Sequence, residues 1–150
     1  MNMKEKKRKK VFVDGPIKSL FIGESITKHQ NKTSIGGHNI FLGQVRNDII
    51  EGKEVSAIDY TAYEEMAEQE FENIREEAFE KFDLVCLHIY HSLGVVEAGE
   101  ISLFVFTSSA HRDECFKATR FIVDGVKSKV PIFGKELFTD SSFAWKKNDQ

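Results

Sequence analysis

Two helical stripes bracket a run of strand-like sequence, and this limits the fold more than any other feature of the chain. Ala67, Phe71, Ile74, Ala78 and Phe82 recur at spacings of four, three, four and four. That period lays side chains along one face of a helix, and it predicts a helix over Glu64–Phe82 with its glutamates on the solvated face. Cys115, Ala118, Ile122 and Val126 form a second stripe. The second helix is expected to be capped by Ser108 or Ser109, favoured by Asp113 and Glu114 in its first turn, and stopped by Pro131. Between the stripes, Leu84–His91 reads as a buried strand, Leu93–Glu100 as a turn containing Gly94 and Gly99, and Ile101–Thr107 as another strand. Upstream, Val11–Val13 is a short strand closed by Asp14-Gly15-Pro16. Ile17–Ile35 is poorly patterned, with room for a short helix. Strands follow over His38–Arg46 and Val55–Tyr63, joined by a polar loop carrying Gly52. Glu136–Thr139 is a last short strand. Strands mixed with two long helices imply an α+β fold with mixed or antiparallel strands. The 150 residues suit a single domain over 11–150.

Charge and cysteine usage exclude several classes. Six of the first ten residues are basic, against Glu5 alone, so the remaining body is distinctly acidic. Residues 1–10 are expected to be a solvated, disordered basic tail. They are too charged for a signal peptide, and no apolar run approaches the roughly 18 residues of a membrane span. A cytoplasmic protein is expected, with no membrane partner. Nucleic-acid binding would need aromatic residues among the basic ones, and the tail has none. Cys86 and Cys115 lie far apart without CxxC spacing, so neither a disulfide framework nor a zinc site is expected. His88 and His91, three apart on a strand, point to opposite faces and make poor metal co-ligands. No P-loop, dinucleotide fingerprint or GxSxG motif is present.

Three segments could carry chemistry. At Ser108-Ser109-Ala110-His111-Arg112 a strand gives way to a helix, whose first turn offers unpaired N–H groups and partial positive charge. Arg112 adds a forked donor suited to phosphate, and His111 a further donor. In an acidic body this convergence favours an anion, although a capped helix with two surface cations fits the same residues. Lys127, Lys129 and Lys135 cluster around Pro131. Mutual repulsion lowers the pKa of a desolvated lysine, which suits a nucleophile or proton shuttle. A basic helix C-terminus is the plainer reading. Arg46 stands at a strand end beside a loop, a common position for ligand-binding residues.

Taken in order, these segments resemble the large, catalytic subunit of molybdopterin synthase, over roughly residues 37–147. Phe41-Leu42-Gly43-Gln44-Val45-Arg46-Asn47 is similar to the family's Phe-x-Gly-x-Val-Arg strand end. Tyr63-Glu64-Glu65-Met66-Ala67 resembles the entry to its long helix. His91-Ser92-Leu93-Gly94 with Gly99-Glu100 resembles its His-Arg-x-Gly and following turn. Thr107-Ser108-Ser109-Ala110-His111-Arg112 is the most specific piece. Lys127 follows at the required distance, and Pro131-Ile132-Phe133-Gly134-Lys135-Glu136 stands where the family has Pro-x-Trp-Lys-x-Glu.

The resemblance implies the family's α/β-hammerhead fold and a sulfurtransferase needing neither metal nor other cofactor. A small ubiquitin-like partner would insert a Gly-Gly tail ending in a thiocarboxylate. Two sulfurs would pass to cyclic pyranopterin monophosphate, giving the molybdopterin dithiolene. A homodimer within a heterotetramer is implied. Carried over by position, Lys127 is the principal catalytic residue. His111, Arg112, Arg46, Gln44, Val45, Gly134 and Glu136 line the substrate pocket. Two positions depart from the pattern. Ser92 replaces an Arg, and Gly134 stands where the family carries a second active-site lysine. Lys135, one residue later on a long flexible stem, is expected to reach in as the second catalytic and substrate-binding lysine. Gly134 also leaves open a non-catalytic scaffold that binds the small subunit. A module binding some other phosphorylated small molecule at the His111 helix start is the remaining alternative.

Overall fold

In the computed structural model, which describes residues 10–147, the chain runs in order through β1 (Phe12–Asp14), α1 (Ser19–His29), β2 (Gly37–Gln44), β3 (Ile49–Ile50), β4 (Lys53–Ala62), α2 (Glu64–Lys81), β5 (Cys86–Glu97), β6 (Ile101–Ser109), α3 (Arg112–Lys129), β7 (Ile132–Phe138) and β8 (Phe143–Trp145). The basic tail expected over residues 1–10 lies outside the described residues except for Lys10.

Strand β5 joins the two halves of the sheet, whose order is β2-β6-β5-β4-β7-β8. Its first half, Cys86–His91, pairs antiparallel with β6. Its second half pairs with β4, from Gly94 opposite Tyr60 to Glu97 opposite Ala57. Gly94, at φ +88°, marks the handover, a backbone state that costs glycine little. β1 lies parallel to β5 at His91–Leu93, and the other strand pairs are antiparallel.

Both faces of β6 are covered, so it is buried from Ser102 to Ser109 and reads as a continuous run rather than an alternation. On one face α2 and α3 cover Leu87, Ile89, Leu103 and Val105 with Ala67, Phe71, Ile74, Ala118, Ile122 and Val126. Gly125 of α3 meets Ile74, since a Cβ there would lie 3.3 Å from its Cδ1. Close helix packing thus offsets the roughly 1 kcal/mol that glycine costs a helix. On the other face Ile17 and Ile22 pack on Phe104 and Phe106. Val45, Val55, Ile58, Val96 and Phe138 form a separate cluster in the β4–β7 half.

The α+β expectation holds, with a third helix, α1, in the poorly patterned stretch. Four local expectations are corrected. The turn expected over Leu93–Glu100 shrinks, because β5 runs on to Glu97 once β4 offers it a new edge. Ser108 and Ser109 do not cap α3. They end β6, fully buried, and the N-cap is His111 without a side-chain cap. The last strand is longer than Glu136–Thr139, because β4 supplies a template from Val55 to Ala62. An eighth strand, β8, folds back on β7. Among the described residues no helix is long and apolar enough to cross a membrane.

Candidate active site

A cleft of about 240 Å³ opens where the two halves of the sheet diverge beside the C-terminal end of α3. Gln44, Val45, Arg46 and Asp48 form one wall. Tyr60, His91 and Ser102 lie along the sheet, Lys127 comes from the last turn of α3, and Gly134, Glu136 and Lys146 close the far side.

Each side chain has a local reason for its position. The backbone of Val45 is pinned to the β5–β6 turn, donating to the Glu100 carbonyl at 3.0 Å and accepting from Gly99 at 2.8 Å. Arg46 therefore leaves the strand from a fixed point. Its guanidinium grips Asp48 with a fork, Nε to Oδ1 and Nη2 to Oδ2, both at 3.0 Å. That hydrogen bond holds the Asp48 carboxyl below the usual carboxylate range. Arg46 is exposed and Asp48 partly so, and such a solvent-screened pair adds little stability. It fixes instead the direction of a fork that a phosphate could take over.

Lys127 is held below the ordinary lysine range, first by withdrawal from water, then by the charges of Lys146 and Arg46. His91 is buried, and its Nδ1 donates to the Ser92 carbonyl at 2.8 Å. Burial pushes it down to about 4, against the smaller opposing effect of that bond, with the Lys127 charge adding to the fall. His91 is therefore neutral near pH 7, with Nε2 as its bare nitrogen. The Tyr60 ring stands edge-on to it, centroids 5.0 Å apart, and the Tyr60 hydroxyl is 3.2 Å from Ser102 Oγ. The cleft thus combines a perturbed ammonium, a neutral imidazole and two further cations, a set suited to binding an anion and exchanging protons beside it.

Of the residues expected from sequence, Gln44, Val45, Arg46, Lys127, Gly134 and Glu136 come together in this cleft. Lys135 does not. Alternation along β7 sends it to the opposite face from Gly134 and Glu136. There its ammonium lies over the rings of Phe143 at 4.7 Å and Trp145 at 5.5 Å. His111 and Arg112 are also absent from the lining. They begin the helix that Lys127 nearly ends, so a rise of about 1.5 Å per residue sets them some 22 Å or more from that lysine. Both are exposed.

Sequence reasoning missed Lys146. Its backbone amide donates to the Gly134 carbonyl at 2.7 Å. A Cβ on Gly134 would fall 3.7 Å from Lys146 Cδ and 2.9 Å from Ile58 Cγ2. The Lys146 stem therefore runs beside the space that a side chain at position 134 would fill. The available signal was the Thr139-Asp140-Ser141-Ser142 turn, where Asp140 Oδ1 accepts from the Ser142 amide at 2.9 Å. A hairpin at that turn pairs Lys135 with Trp145 and brings Lys146 level with Gly134. From sequence, His91 was visible as part of a turn motif and, beside His88, as a poor metal co-ligand, not as a member of this cleft.

Comparison with known proteins gives a consistent result. The family model described as MoaE protein matches residues 18–129. The molybdopterin synthase catalytic subunit of Pyrococcus abyssi is 42% identical over 120 residues, 80% of each chain. That of Rattus norvegicus is 35% identical over 133 residues, 89% of this chain and 66% of the relative. The crystal structure of molybdopterin synthase from Staphylococcus aureus superposes with a TM-score of 0.80 at 27% identity, over 91% of this chain and 96% of that one. A protein–protein complex of subunits 1 and 2 of molybdopterin-converting factor from Helicobacter pylori shares the fold, with a TM-score of 0.78 at 19% identity, over 91% of this chain and 89% of that one.

Proposed function

This chain belongs to the MoaE family of molybdopterin synthase catalytic subunits, sulfurtransferases of molybdenum cofactor biosynthesis; from that premise we propose that its cleft receives the thiocarboxylate tail of a small ubiquitin-like subunit and passes sulfur to cyclic pyranopterin monophosphate. The observation that carries the reading is the meeting of Lys127, neutral His91, Arg46 and Lys146 around one cleft. Each transfer forms a C–S bond on the pterin in place of a C–O bond, breaks the carrier's acyl C–S bond and leaves the carrier's tail as a carboxylate. Water supplies the oxygen that replaces sulfur on each tail; of the two oxygens displaced from the pterin, one leaves as water and the other stays on the phosphate as its ring opens, and protons must move at the reacting atoms. Lys127 holds the thiocarboxylate anion and exchanges a proton with the reacting centre, helped by its lowered pKa. His91, through Nε2, accepts a proton from the attacking water. Arg46 holds the substrate's negative charge, as does Lys146, the second amine that Gly134 cannot supply. Lys135 takes no part, and Gly134 ceases to favour a scaffold.

His111 and Arg112 join this scheme if a second copy supplies them. The two ends of one 18-residue helix cannot meet around one small substrate. In a two-fold dimer, the α3 start of one copy can face the cleft of the other. The assembly is then a homodimer carrying one small subunit at each cleft, in the cytoplasm. Single-turnover conversion of cyclic pyranopterin monophosphate by a thiocarboxylated small subunit plus this chain tests the reading. Dithiolene formation that vanishes with Lys127→Ala supports it. No conversion by a folded, partner-bound wild-type chain overturns it.

A further inference from the structure

On the opposite face of the sheet from α2 and α3, under the end of α1, three potential metal ligands converge. Cys86 and His88 are two apart on β5 and so share a face. His29, the last residue of α1, reaches down to them. The His29 and His88 Nε2 atoms are 2.8 Å apart, and with Cys86 Sγ all three ligand atoms lie within 4.8 Å of one another. We propose that His29, Cys86 and His88 form a zinc(II) site that clamps the C-terminal end of α1 to β5.

Four features of the surroundings bear on this assignment. First, His29 Nδ1 lies 2.7 Å from the Ser25 carbonyl. A carbonyl only accepts, so the ring proton sits on Nδ1 and the Nε2 lone pair faces His88. A backbone carbonyl fixing a ring in this way is the usual support behind a metal-bound imidazole. Second, the two facing nitrogens share a proton, which a cation can replace. Zinc bonds of about 2.0–2.1 Å to nitrogen and 2.3 Å to sulfur require the nitrogens to separate to about 3.3 Å, a small opening at the end of a helix. Third, the floor is apolar. The Phe106 ring lies 5.0 Å from His29 and 6.3 Å from His88, centroid to centroid. His38 also meets Phe106, at 5.2 Å, but its Nδ1 is held by Ser108 Oγ at 2.6 Å, so it stands beside the site as a neighbour. Fourth, the donors are two imidazoles and a thiol with no carboxylate. This selects zinc over calcium or magnesium and leaves a fourth tetrahedral position for water.

Lys32 is the opposing feature. Its ammonium donates to Cys86 Sγ at 3.0 Å, and its charge repels a cation. It is exposed, so it can swing into solvent when the ion binds. Spacing along the chain does not reveal this site, because Cys86 and Cys115 lie far apart without CxxC spacing and His29 stands 57 positions before Cys86.

The test uses the full chain, stripped with chelator, and reads metal directly rather than sulfur transfer. Zinc titration by calorimetry should give one site per chain. Cobalt(II) should give a thiolate charge-transfer band. Cys86→Ser should abolish the band and weaken zinc at least about tenfold, whereas Cys115→Ser should keep both. Lys32→Gln should tighten zinc several-fold. His29→Gln, at a helix end, gives a second reading should Cys86→Ser fail to fold, and it should weaken zinc to the same degree. No cobalt–thiolate band in the wild type, a band that survives Cys86→Ser, or zinc affinity unmoved by His29→Gln overturns the proposal. None of these readouts depends on the chemistry of the cleft.

Discussion

The backbone amide of Lys146 donates to the carbonyl of Gly134 at 2.7 Å, and the Lys146 side chain runs beside the space that any residue larger than glycine would need there. The two positions are thus coupled. The glycine that removes one lysine leaves room for another from just after β8, and Gly134→Lys would collide with Ile58 Cγ2.

Lys146→Ala is therefore expected to slow sulfur transfer about a hundredfold, within the range for loss of a proton-exchanging or charge-holding group. Lys135→Ala should change the rate less than twofold, since its ammonium rests on Phe143 and Trp145. Single-turnover rates of the two variants decide the matter. The reverse ranking would return the second-lysine role to Lys135.

The Lys127 ammonium is held low by burial, by Lys146 and by Arg46. Removing a neighbouring positive charge raises it. Activity that needs protonated Lys127 is lost as pH rises through its pKa, so Lys146→Gln should move the basic limb of the kcat/KM profile to higher pH. A limb that stays in place while the rate falls would detach Lys127 from that titration.

His91 should make the fold acid-sensitive. Its folded pKa, about 4, lies below the ordinary 6.5, so the unfolded chain binds the extra proton first. The stability contribution is fully present above about pH 6.5 and is lost as pH falls toward 4. At 1.36 kcal/mol per unit this is about 3 kcal/mol at most. Urea midpoints at pH 5 and pH 7.5 should differ less in His91→Gln than in the wild type. An unchanged difference would mean that other groups set the acid limb.

Arg112→Ala and Lys127→Ala, each inactive alone, should complement when mixed and allowed to exchange subunits. Half of randomly formed two-fold dimers are mixed, and each mixed dimer has one intact site, so about a quarter of wild-type activity should return. No recovery after demonstrated exchange would place the helix start outside the cleft chemistry.

The sequence by itself determined the two long helices, the strands beside them and the α+β class, because apolar periodicity is a local property read within a few turns. It also determined that Arg46, Lys127 and Glu136 belong to one family pattern, since ordered motifs survive without any knowledge of their distances. Tertiary structure decided which of these residues meet. Strand alternation turned Lys135 away while Glu136 stayed in the cleft, and the β7–β8 hairpin brought in Lys146 from outside every motif. The length of α3 separated Arg112 from Lys127, although both belong to one motif set. Likewise Cys86, unremarkable in sequence, found His29 only because α1 lies across β5. Periodicity fixes the face a residue takes within its element, but the pairing of distant elements fixes what that face meets. That pairing depends on side chains far apart in the chain.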